Sequence, residues 1–154
     1  AAWLRGRAAE IKNFFVLPPV PYASVASLLA GADCLFLSTK ANGIYRYGVA
    51  MNKLFDYLLA ARPVVFACNQ PSNPVADSGC GATVPAENPA AAAAAIRRLM
   101  ALSPGERALL GSRGREYVCA NHSYEIISAQ FQSAMEGLFN ETKKTGRSLG
   151  GSHP

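Results

Sequence analysis

The sequence predicts an α/β domain with a parallel sheet and helices on both of its faces. Short apolar runs alternate with stretches of helical periodicity, the order that a parallel sheet produces. Those runs are apolar at every position, as in strands buried on both sides, and not at every second one. With 154 residues, 50% of them apolar and 16% charged, the chain is long enough to bury one core.

Residues 1–11 mix Trp3, Arg5, Arg7 and Glu10, and read as the end of an amphipathic helix and not as a signal peptide. The chain opens in mid-pattern without an initiating Met, so a piece of something longer is expected. Residues 14–17 form the first strand candidate, closed by Pro18 and Pro19. A helix follows over residues 23–31, with Val25, Leu28 and Leu29 on one face and Gly31 near its stop. Residues 34–37 make a second strand, and residues 38–47, which contain Asn42-Gly43 and no periodicity, a loop.

The next helix begins at residue 49 or 52 and ends near 61, followed by a β-branched strand at 63–68. Residues 69–81 are turn-rich, with room for one helical turn at 75–78, and Gly79-Cys80-Gly81 reads as a turn. Thr83 and Val84 form a last short strand. Asn88 before Pro89 is an N-cap with proline at the first helical position, opening an alanine-rich helix to about residue 102. Ser103 and Glu106 are spaced as a capping box for the helix after it. A final helix over residues 123–139 carries Ile126, Ile127, Phe131 and Met135 at helical spacing. Residues 140–154 read as a disordered basic tail.

No apolar run approaches the roughly 18 residues that cross a bilayer. The net charge of +5 suits an anionic ligand, an acidic membrane or nucleic acid, but Lys143, Lys144 and Arg147 against Glu141 put two of those charges in the tail. The rest are dispersed, without the aromatic interleaving of single-strand binders, so nucleic acid is not the expected partner. Arg97, Arg98, Arg113 and Arg115 fall on exposed helical segments, solvated or in contact with an acidic membrane. Cys34, Cys68, Cys80 and Cys119 form neither a C-x-x-C pair nor a zinc spacing, which points to reduced, structural thiols and to the cytoplasm. No metal-ligand spacing is present, and neither a metal nor a cofactor is expected. His122 at a helix boundary reads as a cap or packing element before a catalyst.

Parallel sheets bind ligands outside the carboxyl ends of their strands, here residues 18–22, 38–48, 69–73 and 85–88. The segment that carries chemistry is YRYGVAMNKLFDYLLAARPVV, residues 45–65. On a helical wheel Asn52, Lys53 and Asp56 share an arc of about 100°, opposite Leu54, Phe55, Leu58 and Leu59. Lys53 stands in the first or second turn, where the helix dipole makes a cation unfavourable by roughly 0.3–1 kcal/mol. An anion held there by free backbone N–H groups removes that conflict, and Gly48 lets the backbone approach a phosphate. Asp56, one turn deeper, suits a ribose diol. A solvated polar face with a Lys53–Asp56 pair worth about 0.3–0.5 kcal/mol explains the same residues, and on physics alone the two readings stand level.

The order of segments resembles the second Rossmann-like domain of retaining GT-B glycosyltransferases, glycosyltransferase group 1 or family 4. Within that group the likeness is to bacterial surface-polysaccharide enzymes similar to amino-sugar transferases. It is carried by PPVP at residues 18–21, Ala32-Asp33, the RYG, NKLFDY and PVV elements between Arg46 and Val65, the NPV, GCG and VP elements from Asn73 to Pro89, and the ERA to YV helix pair from Glu106 to His122. It covers residues 1–139.

The resemblance implies that Asp56 binds the donor ribose and that Lys53 contacts the donor diphosphate, seated around Asn52. It further implies that the amides of Gly48, Val49, Ala50 and Met51 cradle the diphosphate and that the turn of Pro18, Pro19 and Val20 brackets the base. Arg46, in the loop after the second strand, is placed to reach the phosphate or the donor sugar. Lys53 and Arg46 would stabilise charge on the departing diphosphate without a metal. Two departures stand out. Gly48 occupies the position where commoner members carry a second acidic residue, and the usual Arg and Lys clamp, with the domain's first strands, would lie upstream of Ala1. The expected activity is transfer from a nucleoside-diphosphate sugar, UDP-sugar first, to a glycan or lipid-linked acceptor held by an N-terminal domain, in polysaccharide biosynthesis in the cytoplasm or at the inner face of the membrane. A sugar-nucleotide epimerase and a non-catalytic nucleotide-binding module are the alternatives.

Overall fold

Three apolar runs become strands: β1 (Leu35–Ser38), β2 (Val64–Ala67) and β3 (Gly81–Val84). The computed structural model describes residues 2–43, 45, 51–70 and 72–145. The strands pair in parallel in the order β1-β2-β3, with Leu35 opposite Val64 and Val64 opposite Gly81. β2, in the middle, is buried at every position.

Successive residues of a strand face opposite sides. Leu35, Val64 and Phe66 accordingly meet Leu54 and Leu58 of α3 (Asn52–Leu59), Val75 of α4 (Pro74–Ser78) and Val118 of α6 (Pro104–Asn121). Val65 and Ala82 turn the other way, against Ala95 and Leu99 of α5 (Pro89–Met100). Each fully buried Val, Leu or Phe in these clusters contributes about 1.5–3 kcal/mol. The expected sheet with helices on both faces is what forms.

Helix starts follow local chemistry. Asn73 caps α4 by accepting from the N–H groups of Val75 and Ala76, and Asn88 caps α5 by accepting from Ala91. At α6 the Ser103 hydroxyl accepts from the Glu106 N–H at 3.3 Å, and the Glu106 carboxylate accepts from the Ser103 N–H at 2.8 Å. Bonds from the Ser103 hydroxyl and N–H hold the Glu106 carboxyl below its ordinary range. A depressed carboxyl stabilises the fold above its unfolded pKa, and that contribution is lost as pH falls through the folded value. Ser103→Ala, which removes the N-cap oxygen and its bond to Glu106, should therefore lower stability at neutral pH. In urea titrations that cost should shrink once Glu106 is protonated; a cost independent of pH would contradict the assignment.

Residues 14–17 do not form the expected strand. Phe15 and Leu17 are 73% and 68% exposed, and the segment lies outside the sheet. Apolar residues alone do not make a strand; its N–H and C=O groups need a neighbouring strand to bond. The segment follows α1 (Ala2–Glu10), whose residues 3–7 are all exposed, so the expected amphipathic face meets no core. The expected helix at 23–31 is a 3-10 turn, Tyr22–Ser24, leading into α2 (Val25–Ala30).

Gly79 adopts φ 64° to end α4, while Gly81 belongs to β3 and not to a turn. The last helix, α7 (Tyr124–Thr145), runs six residues past the expected end at 139, and residues 146–154 lie outside the described residues. α7 leaves Tyr124, Ile127, Phe131 and Leu138 exposed. α5 packs on β2 and β3, and Phe36 of β1 is 45% exposed on that side of the sheet. Among the described residues, no helix is long and apolar enough to cross a membrane.

Candidate functional site

α3 forms because Leu54 and Leu58, four residues apart, anchor it fully buried on the sheet. Its N-cap is Met51, extended at φ −116° and ψ 114°, which makes no side-chain capping bond. Met51 therefore offers the amides opening α3 no side-chain acceptor of the kind that Asn73, Asn88 and Ser103 give α4, α5 and α6, and the Leu54 N–H donates to the Met51 carbonyl at 2.8 Å. Asn52 and Lys53 stand exposed in this first turn. Arg46, Gly48, Val49 and Ala50 lie outside the described residues.

Asp56, one turn along, is half-buried and lines a cleft of about 450 Å³. α2 forms one wall, Leu59 and Ala60 another, with Tyr22 and Arg115 also in the lining. Leu59, placed by the wheel on the core side, is 46% exposed and faces this cleft. Leu54 and Leu58 are the fully buried residues of α3, and Phe55, Tyr57 and Ala60 are partly buried against the same cluster. The ion pairs among the described residues, Arg7–Glu10 and Arg107–Asp33, do not include the alternative Lys53–Asp56 pair. Pro18, Pro19 and Val20 are exposed and lead into the turn that carries Tyr22; they do not line the cleft.

The sequence alone does not mark Tyr22 or Arg115 as site residues. Arg115 looks like any solvated helical arginine until α6 is docked. That docking is set by Gly111 and Gly114, which bring the α6 backbone onto Ala61 and onto Leu58 and Cys80.

A second hollow, about 490 Å³, opens at the carboxyl ends of β1 and β2 beside Ser38, Thr39 and Lys40 and the start of α5. There the Glu87 carboxylate, on a backbone at φ 57°, accepts from the Ala41 N–H at 3.3 Å. Thr39 is buried and donates its hydroxyl to the Ala67 carbonyl at 3.2 Å.

Cys34, Cys68 and Cys80 pack in or against the core clusters, while Cys119 is exposed. Burial pushes the Cys34 and Cys80 thiols up, which keeps them protonated, and all four cysteines are free. His122 is the C-cap of α6, with its ring 4.9 Å from Phe55 and 5.6 Å from Tyr117, a packing role. Among the described residues, no group of three or more His, Cys, Asp or Glu side chains is placed to hold a metal ion.

No protein-family model and no curated protein matches the chain. A solved structure does: the chain is similar to sucrose-phosphate synthase from Thermosynechococcus elongatus, with a TM-score of 0.72 and 21% identity. The fold is that of a partial Rossmann-like GT-B domain. The match covers 91% of this chain and 34% of that one, so the chain spans about a third of its neighbour's length. A likeness at this identity establishes architecture and leaves the chemistry to the residues.

Proposed function

We propose that the chain is the donor-binding part of a glycosyltransferase that takes a nucleoside-diphosphate sugar, a UDP-sugar foremost, and delivers the sugar to a glycan or lipid-linked acceptor in polysaccharide assembly. The observation that carries this reading is the start of α3. A helix N-terminus whose N-cap residue gives no side-chain acceptor, with Lys53 in its first turn, is a poor arrangement for a bare surface and a good one for a diphosphate. Asp56, at the edge of the adjoining cleft, has the acceptor oxygens that ribose hydroxyls need.

The chemistry follows from charge. As the sugar–oxygen bond breaks, negative charge grows on the leaving diphosphate. The Lys53 ammonium and the α3 amides stabilise that charge more in the transition state than in the ground state, which lowers the barrier. Arg46 adds a second cation in this reading. The uncovered side of β1 at Phe36 and the apolar stripe of α7 are surfaces that an acceptor-holding domain would cover.

Calorimetric titration of the intact protein with UDP, GDP and pyrophosphate tests the reading. Lys53→Ala should weaken all three by about tenfold or more, the worth of one charge-assisted hydrogen bond. Asp56→Ala should weaken the nucleotides and leave pyrophosphate unchanged. Failure of all three to bind, or equal binding by both variants, removes the proposal.

A further inference from the structure

The second hollow, at the carboxyl ends of β1 and β2, plays no part in the donor reading. α5 packs on β2 and β3 but presents the small, buried Ala92, and β2 ends in the small, buried Ala67; about 490 Å³ stays open beside β1. Phe36 and Ser38, two residues apart on β1, turn the same way and line it, with Phe36 45% exposed. Lys40 and Glu87 line it as well, both exposed, and neither belongs to an ion pair among the described residues. The hollow thus joins an aromatic platform to an ammonium that only donates, a carboxylate that only accepts and a hydroxyl that does both. The two charges cancel, which suits an uncharged ligand.

Glu87 adds a second observation. Its backbone sits at φ 57°, a conformation that glycine adopts freely and that any side chain makes costly. One carboxylate oxygen, Oε2, accepts from the Ala41 N–H at 3.3 Å, which ties the carboxylate to the loop after β1. Strain of this kind collects where a side chain is needed for binding.

We propose that this hollow binds a hexose ring. The C–H face of a pyranose lies on Phe36, whose electron-rich ring face attracts the slightly positive hydrogens. Glu87 accepts from neighbouring hydroxyls and Lys40 donates to a further ring or hydroxyl oxygen. The ring comes from a free glycan or from the sugar of a nucleotide-linked donor. The assignment stands without a diphosphate at α3, which packs on the opposite face of the sheet.

The test is amide NMR of the intact protein titrated with glucose, N-acetylglucosamine and cellobiose. At least one should saturate with shifts centred on Ser38, Lys40, Ala41 and Glu87; sorbitol, an open-chain polyol, should not. Glu87→Gly, which relieves the backbone while removing the carboxylate, should keep the fold and weaken binding about tenfold or more. Phe36→Leu, which stays apolar and loses the ring, should weaken it about threefold. Displacement of the bound sugar by UDP-glucose but not by UDP identifies the donor's own sugar as the occupant, and persistence of the shifts under UDP-glucose identifies a free glycan. The inference is overturned if none of the three saccharides shifts these amides, if sorbitol shifts them equally, or if Glu87→Gly binds as the unaltered protein does. Failure of UDP and pyrophosphate to bind removes the donor reading and leaves this one standing.

Discussion

Gly111→Ala is expected to destabilise the domain by about 3 kcal/mol, lowering its melting temperature by roughly 6–12 °C. A Cβ at this position would lie 2.0 Å from the Ala61 carbonyl oxygen and 2.8 Å from the Arg62 nitrogen. Both are backbone atoms, so no side chain is free to swing aside. Ala61 is itself held at φ 53°, in the turn that leaves α3, which removes the remaining slack. α6 would have to lift away from α3, opening the contact that Gly114 makes with Leu58 and Cys80 and displacing Arg115 from its cleft. Gly137→Ala is the control. That glycine lies in α7 with nothing within 4 Å of its missing Cβ, so alanine should stabilise by about 0.4–1 kcal/mol. Two Gly→Ala changes in helices of one protein should thus have opposite signs; a Gly111→Ala protein that melts with the unaltered one would contradict the close approach of α6 to α3.

The second large effect is expected at Asn73, which is only 2% exposed. Its carboxamide oxygen accepts from the Val75 and Ala76 N–H groups, each at 3.1 Å, and from the Thr83 hydroxyl at 3.2 Å. Its amide nitrogen donates to the Gln70 carbonyl at 2.9 Å. One side chain thereby caps α4, ties it to β3 and closes the loop after β2. Asn73→Ala removes a cap and strands buried partners, at a cost of about 2–4 kcal/mol in denaturant titrations. Thr83→Val, which removes a single bond, should cost about 1 kcal/mol. Asn88, an exposed cap whose side chain accepts from the Ala91 N–H, supplies the comparison. If Asn73→Ala costs no more than Asn88→Ala, the wider network is energetically idle.

These two positions show where sequence reading succeeds and where it stops. Asn88 with Pro89, and Ser103 with Glu106, announce their helices because partner and partnered atoms lie within three residues. β2 is legible for a related reason: a short run of Val64, Val65 and Phe66 between turn residues has few places to go except the middle of a sheet. The polar residues Asn52, Lys53 and Asp56 are likewise visible as one arc of a helix whose Leu54 and Leu58 are buried. Residues 14–17 mislead because a strand is a property of two segments, and the composition of one does not reveal whether the other is beside it. Leu59 misleads because the width of a helix's buried stripe depends on what stands opposite.

By itself, then, the amino-acid order determined the alternation of strands and helices, the helix caps, the buried leucines of α3 and the cation near its start. All of these rest on periodicity and on bonds a few residues long. Tertiary structure decided the rest: that Gly81 lies against Val64, that Gly111 and Gly114 seat α6 on α3, and that Tyr22, Asp56 and Arg115 line one cleft. Those outcomes depend on close approaches between backbones far apart along the chain. The absence of a side chain at a glycine permits such an approach without naming the surface it will meet.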